Sequence, residues 1–286
     1  LFYHFSLYTK KNEVKGVLYM LTYGFIGLGN MSTAILKGMI ASGDILPTQI
    51  YGMNRSIQKT THLVEQLTIN PTTTIAELMN CSDVIIIGVK PQNLEEVLPI
   101  IKENMNDRHI LVSIAAGKSL EYLEQHLQTN CPIFRIMPNI NAVVGASTSC
   151  YSTNTSNEEA KQIVETIFSK VGTIIELPES LFSTFTSIAC ASPAFTYLYI
   201  DSLARAGVKE GMPKEMALKI AASSVLGSAK MILQSNEHPW GLIDQVCSPG
   251  GTTIRGVTEL QHNRFESTVY KAVQAVSDRD AQLNKK

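Results

Sequence analysis

Two things are scarce in this 286-residue chain: an excess of either charge, and cysteines close enough together to cooperate. Lysine plus arginine number 24 and aspartate plus glutamate 25, a formal net charge of −1, so there is no electrostatic footprint for nucleic acid or an anionic membrane. What this leaves is a small-molecule partner. The five cysteines, Cys81, Cys131, Cys150, Cys190 and Cys247, are odd in number and widely spaced, with no C-x-x-C pair. That pattern excludes a disulfide framework and a zinc knuckle. No metal is expected, and the thiols read as reduced cysteines of a cytoplasmic protein. No apolar run is expected to approach the roughly 20 residues that cross a bilayer, so the chain reads as soluble. Internal repeats and low-complexity tracts are also missing.

The first residues, "LFYHFSLYTKKNEVKGVLYM", place an aromatic run ahead of the lysines and lack a small-residue cleavage site, unlike a signal peptide. The expectation is that translation begins at Met20 and that residues 1–19 are a non-native extension. From residue 20 to 178, short β-branched runs alternate with amphipathic segments, the pattern of a parallel sheet with crossover helices. "YGFIGLG", "QIYGMN", "DVIIIGVK", "HILVSIAAG" and "PIFRIMPN" read as strands, and "VVGASTSCYS" and "GTIIEL" extend the sheet. Helices are predicted over 31–42, 57–66, 75–79, 94–104 and 120–127, and in "NEEAKQIVETIFSKV". Beyond Pro178 the β signal stops. Residues 179–286 read as helices over 180–191, 193–206, 213–234, 241–246, 252–261 and 265–284. The fold class is therefore α/β: an N-terminal Rossmann-type doubly wound sheet, then an all-α domain. The helical domain has small residues and apolar faces with little charge, as in "EMALKIAASSVLGSAKMIL", which predicts a homodimer through it.

Chemistry-bearing residues fall at the ends of strands. "GLGNMSTA" supplies Gly27, Gly29, Asn30 and Met31 at the mouth of a helix, where bare backbone approaches a pyrophosphate and the helix dipole faces its charge. The third position of the fingerprint is Ser32 rather than glycine, with Ala34 offering a small side chain for close packing. After the second strand, where an NAD site usually has an acid, stand Asn54, Arg55 and Ser56, and a guanidinium there suits a 2′-phosphate. Val89, Lys90 and Pro91 end the "DVIIIGVK" strand, and Ala115, Ala116 and Asn139 end later ones at the same edge, leaving space for a flat ring. In the helical domain, "CSPGGTTIRGVTEL" opens a helix behind a proline, two glycines and hydroxyls. Its two readings are a plain capped turn and an anion site. His238, ahead of Pro239, reads as a helix entrance, and Glu95 and Glu96 as a solvated helix face.

Taken together, "FIGLGNM", "NRS", "VKPQ", "SIAAG", "RIMPN" and above all "SPGGTTIRGVTEL" resemble the pyrroline-5-carboxylate reductase family, over about Met20 to near the C-terminus. The resemblance implies NADPH as hydride donor with NADH tolerated, 1-pyrroline-5-carboxylate as substrate, L-proline as product, and a dimer interlocked through the helical domain. Higher assemblies of such dimers occur in the family. It places the catalytic threonine on Thr253, and the substrate carboxylate on backbone N–H groups of Gly250, Gly251 and Thr252 beside the Ser248 hydroxyl. The sheet's carboxyl edge and the diglycine turn are then expected to meet in one pocket, within a subunit or across two. Two rivals were weighed: a β-hydroxyacid dehydrogenase, for which Lys219 and Lys230 lack the usual glycine-rich context, and a non-enzymatic NADP sensor. The intact "SPGGTT" argues against both.

Overall fold

"VIII" is apolar at every position, so as a strand it must be covered on both faces. In the computed structural model, which describes residues 20–284 apart from the side chains of residues 57, 59, 283 and 284, it is the central strand β4. Val84 and Ile86 join one core layer, Ile85 and Ile87 the other. The expectation for residues 1–19 lies outside the described residues. Strands β1 (Tyr23–Ile26), β2 (Ile50–Met53), β3 (Asn70–Pro71), β4 (Val84–Ile87), β5 (Ile110–Ser113), β6 (Ile133–Met137), β7 (Ser147–Thr153) and β8 (Gly172–Glu176) form one sheet. Their order is β3-β2-β1-β4-β5-β6-β7-β8, which reverses direction between β1 and β4. That reversal is the switch point at which open α/β sheets hold ligands.

The helices of this unit are α1 (Asn30–Ala41), α2 (Ile57–Leu67), α3 (Ile75–Asn80), α4 (Leu94–Asn104), α5 (Leu120–Leu127) and α6 (Glu158–Ser169). Leu36 and Met39 of α1 and Val164 and Phe168 of α6 pack with Phe25, Phe134 and Tyr151 on one face. Leu78 of α3, Leu98 and Ile101 of α4 and Leu123 of α5 cover the other with Ile26, Leu111 and Ile133. Two details depart from the parallel reading. β7 runs antiparallel to β6, because the connection over residues 138–146 holds only a 3₁₀ turn, Ile140–Val144, too short for the crossover that a parallel neighbour needs. "VVG" belongs to that turn and not to the strand. β3 is a two-residue strand beside β2 that hydrophobic periodicity does not reveal.

The chain divides into two compact units, Leu1–Phe182 and Ser183–Lys286. The helix expected over 180–191 is instead a 3₁₀ turn (Glu179–Leu181), a short helix α7 (Phe182–Phe185) and a π turn (Thr186–Cys190). Ser187, fully buried in the π turn, bonds Ser183 O and lies 2.8 Å from Ser277 Oγ. The second unit continues with α8 (Ser192–Lys209), α9 (Lys214–Gln234), α10 (Pro239–Val246), α11 (Thr252–His262) and α12 (Phe265–Asn284). α8 and α9 pair closely through small residues: a methyl group on Gly207 would lie 3.3 Å from Ala217 Cβ. Ala204, Ala217 and Ala221 are buried there, with Ile200 and Met212 against them.

The rest of α9 corrects the sequence reading. Over an 18-residue window of this 21-residue helix the mean hydropathy reaches 1.4, so by length and composition it could cross a membrane. Lys219 and Lys230 break the apolar run to the eye without lowering the average below that level. Only 11% of this window is buried within the chain, and Leu226, Met231, Ile232 and Leu233 are exposed.

Candidate active site

The site in the first unit starts from what a side chain would do at Gly27. Its φ is +93°, a conformation that favours glycine, and a methyl group there would lie 2.9 Å from Val89 N and 3.0 Å from Gly88 C. The bare residue lets the end of β1 lie flush against the end of β4. Ser32, at the fingerprint's third position, does the next part of the work. It is buried, its hydroxyl has no partner among the described residues, and a methyl group on Gly88 would come within 1.9 Å of it. The α1–β4 approach therefore rests on Ser32 against Gly88, with buried Ala34 on the same helix.

Gly29 is different. Its φ of −76° suits any residue, and a methyl group would touch only Gly88 O, at 3.9 Å. Protein packing does not require glycine here, so its missing side chain leaves room for something outside the fold. Gly29 caps α1 with no side-chain bond, and the first turn holds no acidic residue. The N–H groups of Asn30, Met31 and Ser32 thus have no intrahelical acceptor and lie at the positive end of the dipole. By contrast α3, α5 and α6 begin on Thr74, Ser119 and Asn157, whose side chains accept first-turn N–H bonds, and each carries glutamate in that turn.

The Asn54 amide oxygen accepts from Leu28 N at 2.7 Å, so this residue holds the glycine loop in shape. Its Nδ2 is buried without a partner among the described residues, a donor consistent with an acceptor supplied by a ligand. Arg55 is largely exposed beside it, and Ser56 opens α2 with no side-chain cap. Lys90 caps a 3₁₀ turn, Pro91–Asn93, that precedes α4. Val89 is half-buried and Lys90 exposed. At the end of β5, Ala115 is buried and Ala116 exposed. Asn139 is buried and its side-chain oxygen accepts from Asn141 N and Thr148 N, at 3.2 and 3.3 Å. It secures the loop between β6 and β7.

In the second unit, α10 ends at Val246, and Ser248-Pro249-Gly250-Gly251 makes a turn closed by Gly251 N to Ser248 O at 2.9 Å. Proline followed by glycine at φ +71° is the type II pattern. This corrects one expectation: the Gly251 N–H is spent on the turn and is not free for a carboxylate. What Gly251 contributes is space, since a methyl group there would meet Ser248 Oγ at 2.3 Å. Gly251 caps α11 without a side-chain bond, and the first turn lacks acidic residues. Thr252 and Thr253 N–H groups are therefore left as donors. Thr258, one turn on, bonds its hydroxyl back to Ile254 O and Arg255 O, whereas the exposed Thr253 hydroxyl has no partner among the described residues. The open-anion-site reading gains on the capped-turn reading, because the turn's hydroxyls do not cap the helix. His238 does cap α10, accepting from Trp240 N at 3.2 Å, as a helix entrance should. Among the described residues no disulfide and no cluster of metal-ligating side chains occurs.

Sequence reasoning did not foresee a cluster near the end of the first unit. Arg135 of β6 forms an ion pair with Glu179 and lies over the Phe182 ring, 4.5 Å from its centroid; Glu179 also accepts from Leu120 N at 2.9 Å. The partners are far apart in sequence, so no local pattern signals them.

A doubly wound sheet with an uncapped, glycine-opened helix at its switch point, joined to a helical unit, defines a nicotinamide-dinucleotide oxidoreductase. Residues 22–117 match the family model described as NADP oxidoreductase coenzyme F420-dependent, and residues 179–283 that of pyrroline-5-carboxylate reductase dimerisation. The pyrroline-5-carboxylate reductase of Escherichia coli is 38% identical over 92% of this chain and 98% of its own length. That of Arabidopsis thaliana is also 38% identical, over 91% and 95%. The structure of the Plasmodium falciparum pyrroline carboxylate reductase with NADP bound superposes with a TM-score of 0.81 at 31% identity, over 92% of this chain and 98% of that one. The chain belongs to the pyrroline-5-carboxylate reductase family.

Proposed function

We propose that this chain reduces 1-pyrroline-5-carboxylate to L-proline with NADPH, the last step of proline biosynthesis, and that Thr253 orients the reacting imine. The observation that carries the assignment of roles is the turn at Ser248–Thr253, which opens a helix with bare backbone, no cap and an uncommitted hydroxyl. The substrate carboxylate rests on the first-turn N–H groups of Thr252 and Thr253 and on the Gly250 N–H, with the Ser248 hydroxyl beside it. Thr253 Oγ accepts the iminium N–H and then donates to the amine lone pair that forms when the C=N bond is reduced. No strong acid is required, because the imine nitrogen is already protonated when it reacts. Holding the two reactants in line supplies most of the rate, on the order of 10⁵ M in effective concentration.

The first unit's open helix mouth, the spare Asn54 donor and the Arg55 guanidinium fit a phosphorylated dinucleotide. The residues assigned to hold it are Gly27, Gly29, Asn30 and Met31 at the pyrophosphate, Asn54, Arg55 and Ser56 at the 2′-phosphate, Val89, Lys90 and Pro91 along the adenosine, and Ala115, Ala116 and Asn139 near the nicotinamide. When bound, the reduced cofactor supplies the hydride to the imine carbon. We assign residues 20–178 to cofactor binding and 179–286 to substrate binding and dimerisation. A homodimer covers the apolar face of α9, and larger assemblies are built from such dimers. The absence of a disulfide among the described residues suits a reducing compartment, and the enzyme is assigned to the cytoplasm.

The test follows NADPH absorbance with 1-pyrroline-5-carboxylate and, as control, NADP+ with a 3-hydroxyacid. NADPH consumption with the cyclic imine and no NADPH formation from the hydroxyacid is expected, and NADPH formation from the hydroxyacid with no consumption by the imine overturns the reading. Thr253→Ala should lower turnover about 10- to 1,000-fold, the range for losing one oriented polar partner. Wild-type turnover in that variant removes Thr253 from the mechanism.

A further inference from the structure

We infer that Glu96 sets the balance between NADPH and NADH by holding the Arg55 guanidinium that reads the 2′-phosphate. This rests on the assignment of Arg55 proposed above. Arg55 Nη1 lies 3.7 Å from Glu96 Oε2, with the two side chains 87% and 64% exposed. The residues are 41 apart in sequence and meet through topology. β2 and β4 flank β1, one on each side, so the loop after β2 and the first turn of α4 lie on either side of the switch-point crevice. Glu96 lies in that first turn, next to Glu95. The sequence reading took the pair of acids for a solvated helix face. They are solvated, but one of them is paired with the cation assigned to cofactor choice.

The consequence follows from charge. A dianionic 2′-phosphate that reaches Arg55 must displace or share a carboxylate on the same guanidinium, and it stands near a second negative charge while doing so. A ribose 2′-hydroxyl meets no such repulsion, and carboxylates in the corresponding region of NAD sites accept from it. Glu96 therefore weakens NADPH selectively and moderates a preference that Arg55 alone would make steeper. The pair is exposed, so its effect is modest: removing the charge in Glu96→Gln should strengthen NADPH binding about three- to fivefold, with NADH changed less than about twofold. Raising the salt from about 0.05 M to 0.5 M should shrink the difference, because exposed charges are screened over a few ångströms at the higher value.

The experiment titrates the full-length protein with NADPH and with NADH, by nucleotide fluorescence, in wild type, Glu96→Gln, Arg55→Ala and the double variant. It then repeats KM measurements for both nucleotides with 1-pyrroline-5-carboxylate. NADH serves as the internal control, since a merely structural change would move both affinities together. The expected result is a ratio of the two dissociation constants that shifts towards NADPH in Glu96→Gln, away from it in Arg55→Ala, and shows no further Glu96 effect once Arg55 is gone. If Arg55→Ala erases the NADPH preference while Glu96→Gln leaves the ratio within about 1.5-fold, the role of Glu96 is overturned and that of Arg55 stands. If Arg55→Ala leaves the ratio untouched, the assignment of Arg55 fails and the inference falls with it. A Glu96→Gln shift that persists undiminished in the Arg55→Ala background also overturns it.

Discussion

Replacing Gly250 with alanine isolates the backbone's part in substrate binding. Gly250 sits at φ +71°, and a methyl group there would meet no heavy atom within 4 Å. Steric clash is therefore absent, and the cost is that of placing an L-residue in left-handed backbone, about 1–2 kcal/mol. Alanine also restricts the unfolded chain, which returns about 0.4–1 kcal/mol to global stability but nothing to the geometry of the turn. The turn is exposed and closed by one backbone bond, from Gly251 N to Ser248 O. The strain is thus relieved locally, by opening the turn. A penalty of about 1 kcal/mol leaves the closed turn roughly fivefold less populated, since 1.4 kcal/mol is a factor of ten. Initial rates at saturating NADPH should show the KM for 1-pyrroline-5-carboxylate raised about fivefold, while the KM for NADPH at saturating imine stays within about twofold. Gly250→Asn supplies the control, because asparagine tolerates left-handed backbone better than alanine and should raise the imine KM less. An unchanged imine KM in the alanine variant, or an asparagine variant worse than alanine, would refute the argument that this turn holds the carboxylate.

Two further outcomes are expected. His109 is buried, accepts from Asn106 N through Nδ1 at 3.1 Å and so donates from Nε2 to Met79 O at 3.0 Å, as a neutral imidazole. Burial foremost, and the Arg108 charge, hold its pKa below the usual histidine value, partly opposed by the bond to Met79 and the Asp83 charge. The unfolded chain takes up this proton below about pH 6.5 and the folded chain only at lower pH. His109 therefore contributes stability above about pH 6.5 that is lost as pH falls through that value towards the folded pKa. Thermal midpoints at pH 7.5 and 5.5 should drop more in wild type than in His109→Gln, and equal drops would exclude the linkage. The second outcome concerns assembly. Leu198, Ile220, Leu226, Met231, Ile232 and Leu233 are 52–84% exposed in the helical unit, more apolar surface than a monomer keeps. Sedimentation at micromolar concentration should show a dimer, and Leu226→Lys should shift it to monomer; a monomeric wild type would count against a homodimer.

Much of the first site was legible because its requirements are local. A strand running into G-x-G tells where the backbone must be bare, and Gly27 confirms it with a positive φ and a close approach to Val89. The departure at Ser32 was visible as a substitution but not as a solution, because its partner Gly88 is brought alongside by the sheet order and not by spacing. Asn54 shows the same limit. Its position after β2 suggested a ligand contact, yet its oxygen is bonded to Leu28, across the loop it helps to shape. Asn139, expected beside the space for a flat ring, accepts from Asn141 N and Thr148 N within its own loop. Arg135 and Glu179 gave no signal at all, since a charge in the middle of a strand and one in a later 3₁₀ turn become a pair only after β6 is placed.

The helical unit shows why a hydrophobic face read from sequence cannot say which chain will cover it. The period of α9 predicts burial, and a mean hydropathy of 1.4 over an 18-residue window satisfies the composition of a membrane span as well as that of a core helix. Periodicity fixes only that a face must leave water. Within the chain, small side chains bring α8 and α9 together at Ala204, Ala217 and Ala221. Leu226, Met231 and Leu233 of α9 stay exposed within the unit. Burying roughly 50 Å² of each such side chain at about 25 cal/mol per Å² is worth more than 1 kcal/mol apiece, so leaving the face wet would cost several kcal/mol. The match of residues 179–283 to a dimerisation domain offers a second copy of the same face as cover. A two-fold pairing meets the requirement most simply, because each chain supplies the apolar surface that the other lacks.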